Sequence, residues 1–270
     1  MSVFWLRAAA ALYSCGLVYA LLVIFRKGAR LFRPALVAFG AGAILHMVSI
    51  VELWAELGHF PLSNFYETTS VCAFLIAIFF LIAYSYYRIS VFAVCLFPLV
   101  FFMTLIGATE FPIAPWGNPQ IRNAWLILHV SSVLIGYAAL VFASLGAMFY
   151  LVQERQLKRK KEVAPGAFRL PPLATLDTLI THSMNFGFLF ITVGTVAGIV
   201  WAFVERGARW VIDPKIGFFL FTWAFYLAMI FLRVSAGWRG RRLAWLAVGV
   251  LGCAIVTWGI HLGLRSVLAQ

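Results

Sequence analysis

An all-α, polytopic membrane bundle is the fold class this sequence predicts, and three observations carry the prediction. Of its 270 residues, 64% are hydrophobic and 11% charged, more apolar surface than a water-soluble globule hides behind a polar exterior. The apolar residues come in runs of about 20, the length a helix needs to cross a bilayer. Those runs are continuous rather than alternating strands of about ten residues, which excludes a β-barrel.

About eight runs are readable, near 3–25, 34–57, 69–87, 89–107, 125–152, 183–204, 215–232 and 243–264. The first carries Arg7 early and leads into a basic cluster rather than a cleavage site, so it reads as a retained helix. The net charge of +12 suggests nucleic acid until the charges are located. Arg26, Lys27, Arg30 and Arg33 follow the first run, and Arg88 separates the third from the fourth. Arg155, Lys158, Arg159, Lys160, Lys161 and Arg169 follow the fifth, and Arg233, Arg239, Arg241 and Arg242 follow the seventh. The opposite side holds only Arg7, Arg122, Arg206, Arg209, Lys215 and Arg265. By the positive-inside rule both termini lie on the outer side and the basic loops in the cytoplasm. The basic residues then serve topology and anionic membrane lipids, and no nucleic-acid partner is expected.

Residues 1–270 read as a single transmembrane domain of a bacterial inner (cytoplasmic) membrane. The longest polar segment, "QERQLKRKKEVAPGAFRLPP" (153–172), is a cytoplasmic linker. The next stretch, "LATLDTLITHS", has helical spacing suited to lying along the inner interface before the sixth span. On the outer side fall "GHFPLSNFYETTS" (58–70), the loop 108–124 with "WGNPQIRN", and "WAFVERGARWVIDPK" (201–215). Trp, Phe, Pro and Gly crowd these loops. Single interfacial aromatics are ordinary belt anchors, but that does not explain so many large rings in turn-forming loops. Cys15, Cys72, Cys95 and Cys253 lie inside apolar runs with no CxxC or CxxCH, which excludes a thiol relay and covalent haem attachment to this chain. They read as small packing residues.

The predicted topology assigns a depth to each of the 5 histidines. His59 lies in the first outer loop, His129 one turn inside the outer end of the fifth span, and His261 near the outer end of the eighth. His46 lies mid-span in the second run, and His182 at the inner edge of the sixth. Neutral imidazole is a common axial ligand of haem iron, and flat aromatic walls suit a porphyrin. A histidine near an interface is nevertheless more commonly a hydrogen-bonded packing residue, and His46 reads as a helix–helix hydrogen bond. Glu52 and Glu56, four residues apart, share one face of the second span. At that depth they pair with basic groups, line a route for haem or protons, or are simply hydrated.

Four segments carry a family resemblance: "GHFPLSNFYETTS" (58–70), "WLILHVSSVLIGYAAL" (125–140), "LATLDTLITHSMNFGFLFITVGTVAGIVWA" (173–202) and "WAFVERGARWVIDPKIGFFLFTW" (201–223). Together they resemble the CcsA/CcmC-type cytochrome c assembly proteins over nearly the whole chain. The resemblance implies a protein that binds or presents non-covalent, b-type haem at the outer membrane face. It implies a CcsB/ResB-like membrane partner with an outer domain, and attachment of the haem to apocytochrome c. In the family a tryptophan-rich loop forms a platform flanked by two iron-ligating outer histidines, with an Asp of the loop among the polar contacts. Trp201, Gly207, Trp210, Asp213, Pro214, Lys215, Thr222 and Trp223 match that loop, and His129 matches the first histidine. Where the pattern has further tryptophans the chain has Arg206, Ile212 and Phe218. Arg209 replaces its Tyr and Ile216 its Glu, while Leu268 and Phe231 occupy positions of family histidines.

These departures bring the chain close to the HemX-like branch, short relatives associated with haem biosynthesis and the level of glutamyl-tRNA reductase. On that alternative the protein is a non-catalytic regulator or scaffold whose cytoplasmic loops, above all 153–172, meet a haem-biosynthesis enzyme. Neither reading requires a stand-alone enzyme. His261 precedes Leu268 by seven residues, about two turns or roughly 10 Å of rise, and returns to within about 20° of the same face. His129 and His261 are therefore expected to form an axial pair deeper than the family's. Trp201, Trp210 and Asp213 would remain from the loop, and Arg206 and Arg209 would take the haem propionates by bidentate hydrogen bonds. The competing expectation pairs those arginines with Glu205 or Asp213.

Overall fold

The structure, a computed structural model, describes residues 1–24, 31–62, 64–109, 124–159, 170–206 and 214–268, with 23–24, 205–206, 214–215 and 261–268 in backbone only. Eight α-helices account for nearly all of it: α1 Ser2–Ile24, α2 Phe32–Leu57, α3 Phe65–Tyr87, α4 Ala93–Gly107, α5 Ala124–Lys158, α6 Leu173–Arg206, α7 Pro214–Val234 and α8 Arg241–Leu268. Among the described residues all eight elements are long and apolar enough to cross a membrane, once a 3₁₀ turn at Ser90–Phe92 is joined to α4. The chain is a multi-pass membrane protein. Its helices fall into two compact units, α1–α4 and α5–α8.

Local chemistry sets the helix ends. Gly58, at φ 69°, closes α2 by donating its N–H to the Trp54 carbonyl, a left-handed cap that glycine adopts without a Cβ penalty. Six residues later Asn64 opens α3. Its Oδ1 accepts the Glu67 N–H at 2.8 Å and its Nδ2 donates to Glu67 Oε1 at 3.1 Å, a reciprocal capping box. The expected outer loop over 58–70 is therefore shorter, and Glu67 is a buried first-turn residue of α3 rather than a loop charge. Asn64→Ala is expected to cost about 1 kcal/mol of stability, read by far-UV circular dichroism during detergent unfolding. Asn64→Ser, whose hydroxyl can still accept the Glu67 N–H, should recover most of it.

Two other expectations are corrected. Helix α5 continues through Lys158 into the segment expected as linker, because Gln, Glu, Arg and Lys are good helix formers and Lys158 bonds Glu154 one turn back at 2.7 Å. The segment from Leu173 is not a separate interfacial helix. It is the start of α6, which runs unbroken for 34 residues, or about 51 Å. Pro171 and Pro172 mark its start, where a missing N–H costs nothing. Cys72 packs in the core as expected, whereas Cys15 and Cys95 are exposed on the helix surfaces.

In the first unit α2 shows how such a helix divides its faces. Ala35, Phe39, Gly42, Ala43, His46, Ser49 and Ile50 are buried, while Val37, Ile44, Met47, Val51 and Trp54 are exposed. Both stripes are largely apolar, as lipid contact requires, so packing is carried by small residues and shape. Gly42 gives Tyr13 its place: a Cβ there would stand 2.9 Å from the Tyr13 ring. In the second unit α7 and α8 join through a tight turn with Gly237 and Gly240 at φ 63° and 67°. Arg233 braces that end by donating to Asp177 Oδ2 at 2.9 Å, Thr181 Oγ1 at 2.7 Å and the Trp238 carbonyl at 3.2 Å.

Candidate functional site

The second unit is organised on the seam between α5 and α6, which pack along most of their length. Gly187, Gly194 and Gly198 line the α6 side and Gly136 the α5 side. A Cβ on Gly187 would meet the Gly136 carbonyl at 3.2 Å, and one on Gly194 would meet Val133 Cγ2 at 2.7 Å. Small residues at helical spacing let two backbones approach without a hydrophobic driving force, which lipid does not supply.

His129 sits where this seam opens. Its ring lies in the notch between Gly194 and Gly198, where a Cβ on Gly198 would stand 2.7 Å from Cε1. Nδ1 is 2.6 Å from the Gly194 carbonyl oxygen. A carbonyl only accepts, so Nδ1 carries the proton and Nε2 keeps its lone pair. Metal-bound histidines are oriented by this kind of hydrogen bond, made from the other ring nitrogen. The Phe219 ring of α7 stands edge-on at 5.6 Å and 65°, and the imidazole is half-buried. The Nδ1–H bond holds the ring, and Nε2 is the atom able to bind a metal.

Thr222 and Trp223, just after the loop, have a structural task. Thr222 Oγ1 lies 2.7 Å from Thr257 Oγ1 and ties α7 to α8. Trp223 Nε1 donates to Thr192 Oγ1 at 3.1 Å, tying α7 to α6, and its ring stacks on Phe188 at 6.3 Å. Trp201 is half-buried on α6, on the face that carries Gly194 and Gly198.

Two independent registers fix the level of His261 in α8. Thr257 is level with Thr222, so His261, one turn further on, is level with Phe218 and with Phe219, the neighbour of His129. Ser144 Oγ donates to the Ala247 carbonyl at 2.9 Å; His129 and His261 each lie about four turns from that bond, toward the same end. The backbones of the two histidines share one level of the unit. The His261 and Arg206 side chains are not described, and Arg209, Trp210 and Asp213 lie outside the described residues. His59 belongs to the first unit, where Nδ1 donates to the Phe60 carbonyl at 3.1 Å. Phe231, at the position of a family histidine, is 62% exposed.

Comparison with known proteins identifies the family. Residues 43–268 match the family described as cytochrome C assembly protein. The chain belongs to the cytochrome c assembly protein family. It is 31% identical over 251 residues to the cytochrome c biogenesis protein CcsA of Synechococcus sp. (strain CC9605), covering 83% of each chain. To the CcsA protein of Guillardia theta it is 30% identical over 272 residues, which cover 92% of this chain and 87% of the relative. A Prochlorococcus marinus (strain MIT 9312) protein of the same name is 30% identical over 249 residues, 83% of this chain and 81% of the relative.

For this cytochrome c assembly protein, the sequence singles out His129 but not what surrounds its ring. Gly194, Gly198 and Phe219 carry no chemistry that a motif looks for. One signal was readable: Gly194-Thr-Val-Ala-Gly198 is a GxxxG step inside an apolar helix, the pattern of close helix approach. Among the described residues no three His, Cys, Asp or Glu converge on a chelated ion.

Proposed function

We propose that this protein works in cytochrome c biogenesis by binding haem at the Gly198 end of its second helix unit and presenting it for attachment. The observation that carries the reading is the His129 bond to the Gly194 carbonyl, which orients the ring and leaves Nε2 as an electron-pair donor. His261 lies at the same level of the unit, which suits it to be the second axial ligand. Trp201 supplies a ring on the same side, and Trp210, Asp213, Arg206 and Arg209 would contribute wall and propionate contacts from the loop. When bound, haem supplies the group that becomes linked to apocytochrome c. The protein's own residues bind it, orient it and keep its face away from lipid. A partner with an outer domain would complete the assembly, in a bacterial cytoplasmic membrane.

The purified protein is expected to carry haem with a six-coordinate, low-spin absorption spectrum. His261→Ala should convert it to a five-coordinate, high-spin spectrum; an unchanged low-spin spectrum in this variant would sink the pair.

A second reading is favoured by the loop itself. Arg206, Arg209, Ile212, Ile216 and Phe218 stand where the family pattern has aromatic or acidic residues. That composition suits a HemX-like regulator of haem biosynthesis that no longer transfers haem. Deletion separates the two: loss of holo-cytochrome c supports the first, and altered glutamyl-tRNA reductase with normal cytochrome c supports the second.

A further inference from the structure

The first helix unit holds a line of polar groups that the haem reading leaves unused. It follows the seam between α1 and α2. At the Leu57 end of α2, Glu56 Oε1 accepts from the Met1 amino group and Oε2 from Ser2 Oγ, each at 2.8 Å. One turn deeper, Trp5 Nε1 donates to Glu52 Oε1 at 3.0 Å, and Ser49 Oγ donates to the Ser2 carbonyl at 2.8 Å. Deeper still His46, fully buried, meets Ser70 Oγ of α3 through Nε2 at 2.9 Å. Glu56, Glu52, Ser49 and His46 recur at intervals of four and three residues, one face of a helix, over about 15 Å.

Several polar atoms on this line are buried and have no protein partner among the described residues: Glu52 Oε2, His46 Nδ1, and the hydroxyls of Tyr13, Thr69 and Thr104. All but Glu52 Oε2, which lies about 9 Å nearer the entrance, stand on residues around the His46–Ser70 bond. The Tyr13 ring centroid is 6.0 Å from that of His46, and Thr69 adjoins Ser70. Thr104 precedes Gly107 by one turn of α4, and a Cβ on Gly107 would stand 2.9 Å from Ser70 Cβ. Below them the line ends in packed rings. Phe39 and Phe97 stack at 4.2 Å and 19°, with Phe80 edge-on to both. The Tyr19 ring packs against Phe32 and Phe97 beyond that stack, and its hydroxyl also has no protein partner among the described residues.

A single unpartnered polar atom is a local defect, but several around one buried bond make a site. Buried polar groups of this kind are satisfied by water, which needs two to four polar partners. Among the described residues the rings close the deep end, and the column reaches exposed groups at its other end, beside Glu52 and Glu56. We propose that this column is a blind, water-holding inlet that brings water from the Glu56 end to His46. The ligand is water, and haem has no part in it.

X-ray footprinting in heavy-oxygen water tests the inlet on the intact protein in nanodiscs, because radicals born from bound water mark the rings beside it. Tyr13 and Tyr226 have equal burial, both 0% exposed. Tyr226 differs in donating its hydroxyl to the Met184 carbonyl at 2.9 Å. Tyr13 is expected to gain heavy oxygen about ten-fold faster than Tyr226, as a ring beside held water should; equal rates overturn the proposal. Glu52→Leu, which replaces the carboxylate at the entrance by an apolar group, is expected to bring Tyr13 down to the Tyr226 rate. Unchanged Tyr13 labelling in that variant overturns entry beside Glu52. The wild-type comparison holds even if the variant does not fold.

Discussion

Alanine in place of His129 is expected to lower the haem retained by the purified protein at least about 100-fold, since even the groups that orient a ligand are worth 10- to 100-fold. Helix content should stay unchanged, because the ring is half-buried at the mouth of the seam and not in its core. Gly198→Ala gives the graded version. The added methyl would overlap the imidazole and swing Nε2 from its line while leaving every ligand in place. A loss of about ten-fold is expected there. Both effects are read from the haem absorbance per protein and from holo-cytochrome c in the membranes of cells carrying each variant. Wild-type haem in His129→Ala would show that the ring packs the helices and does nothing more.

The second large effect lies in the seam rather than at its mouth. Gly136→Leu is expected to cost about 3 kcal/mol or more, because its Cβ alone would run into Ile191 and stand 3.0 Å from the Gly187 carbonyl. A backbone oxygen cannot rotate away as a side chain can. Gly252→Leu on α8 is the matched control: nothing lies within 4 Å of its added Cβ, so it should be neutral or slightly stabilising through helix propensity. Unfolding in mixed micelles, followed by circular dichroism, distinguishes them. Equal stabilities would mean that the α5–α6 contact does not hold the second unit together.

Hydropathy revealed all eight spans because burial in lipid needs little more than length and apolarity. It missed the start of α3, where Asn64 and Glu67 form a box that acts locally and leaves no mark on average polarity. It also split α6 from its first turns, since Asp177 and His182 lower the local hydropathy without breaking a helix. Asp177 has its partner in Arg233, more than fifty residues away, and no local pattern reveals that pairing. Hydropathy likewise does not tell a packed face from a lipid face, which is why Cys15 and Cys95 were placed in the packing. At the site, His129 was legible as an imidazole near one end of its span. The helix that receives it was not, because the receiving atom belongs to the main chain.

That last point reaches beyond one hydrogen bond. Every amino acid offers a carbonyl, so position 194 can change identity without losing the acceptor; only bulk is forbidden there. The proton on His129 is thus assigned by the course of the backbone and not by any neighbour that mutation can delete. A loop of tryptophans can wear away residue by residue while the imidazole keeps its orientation, and the wear is then a poor guide to the state of that end of the unit.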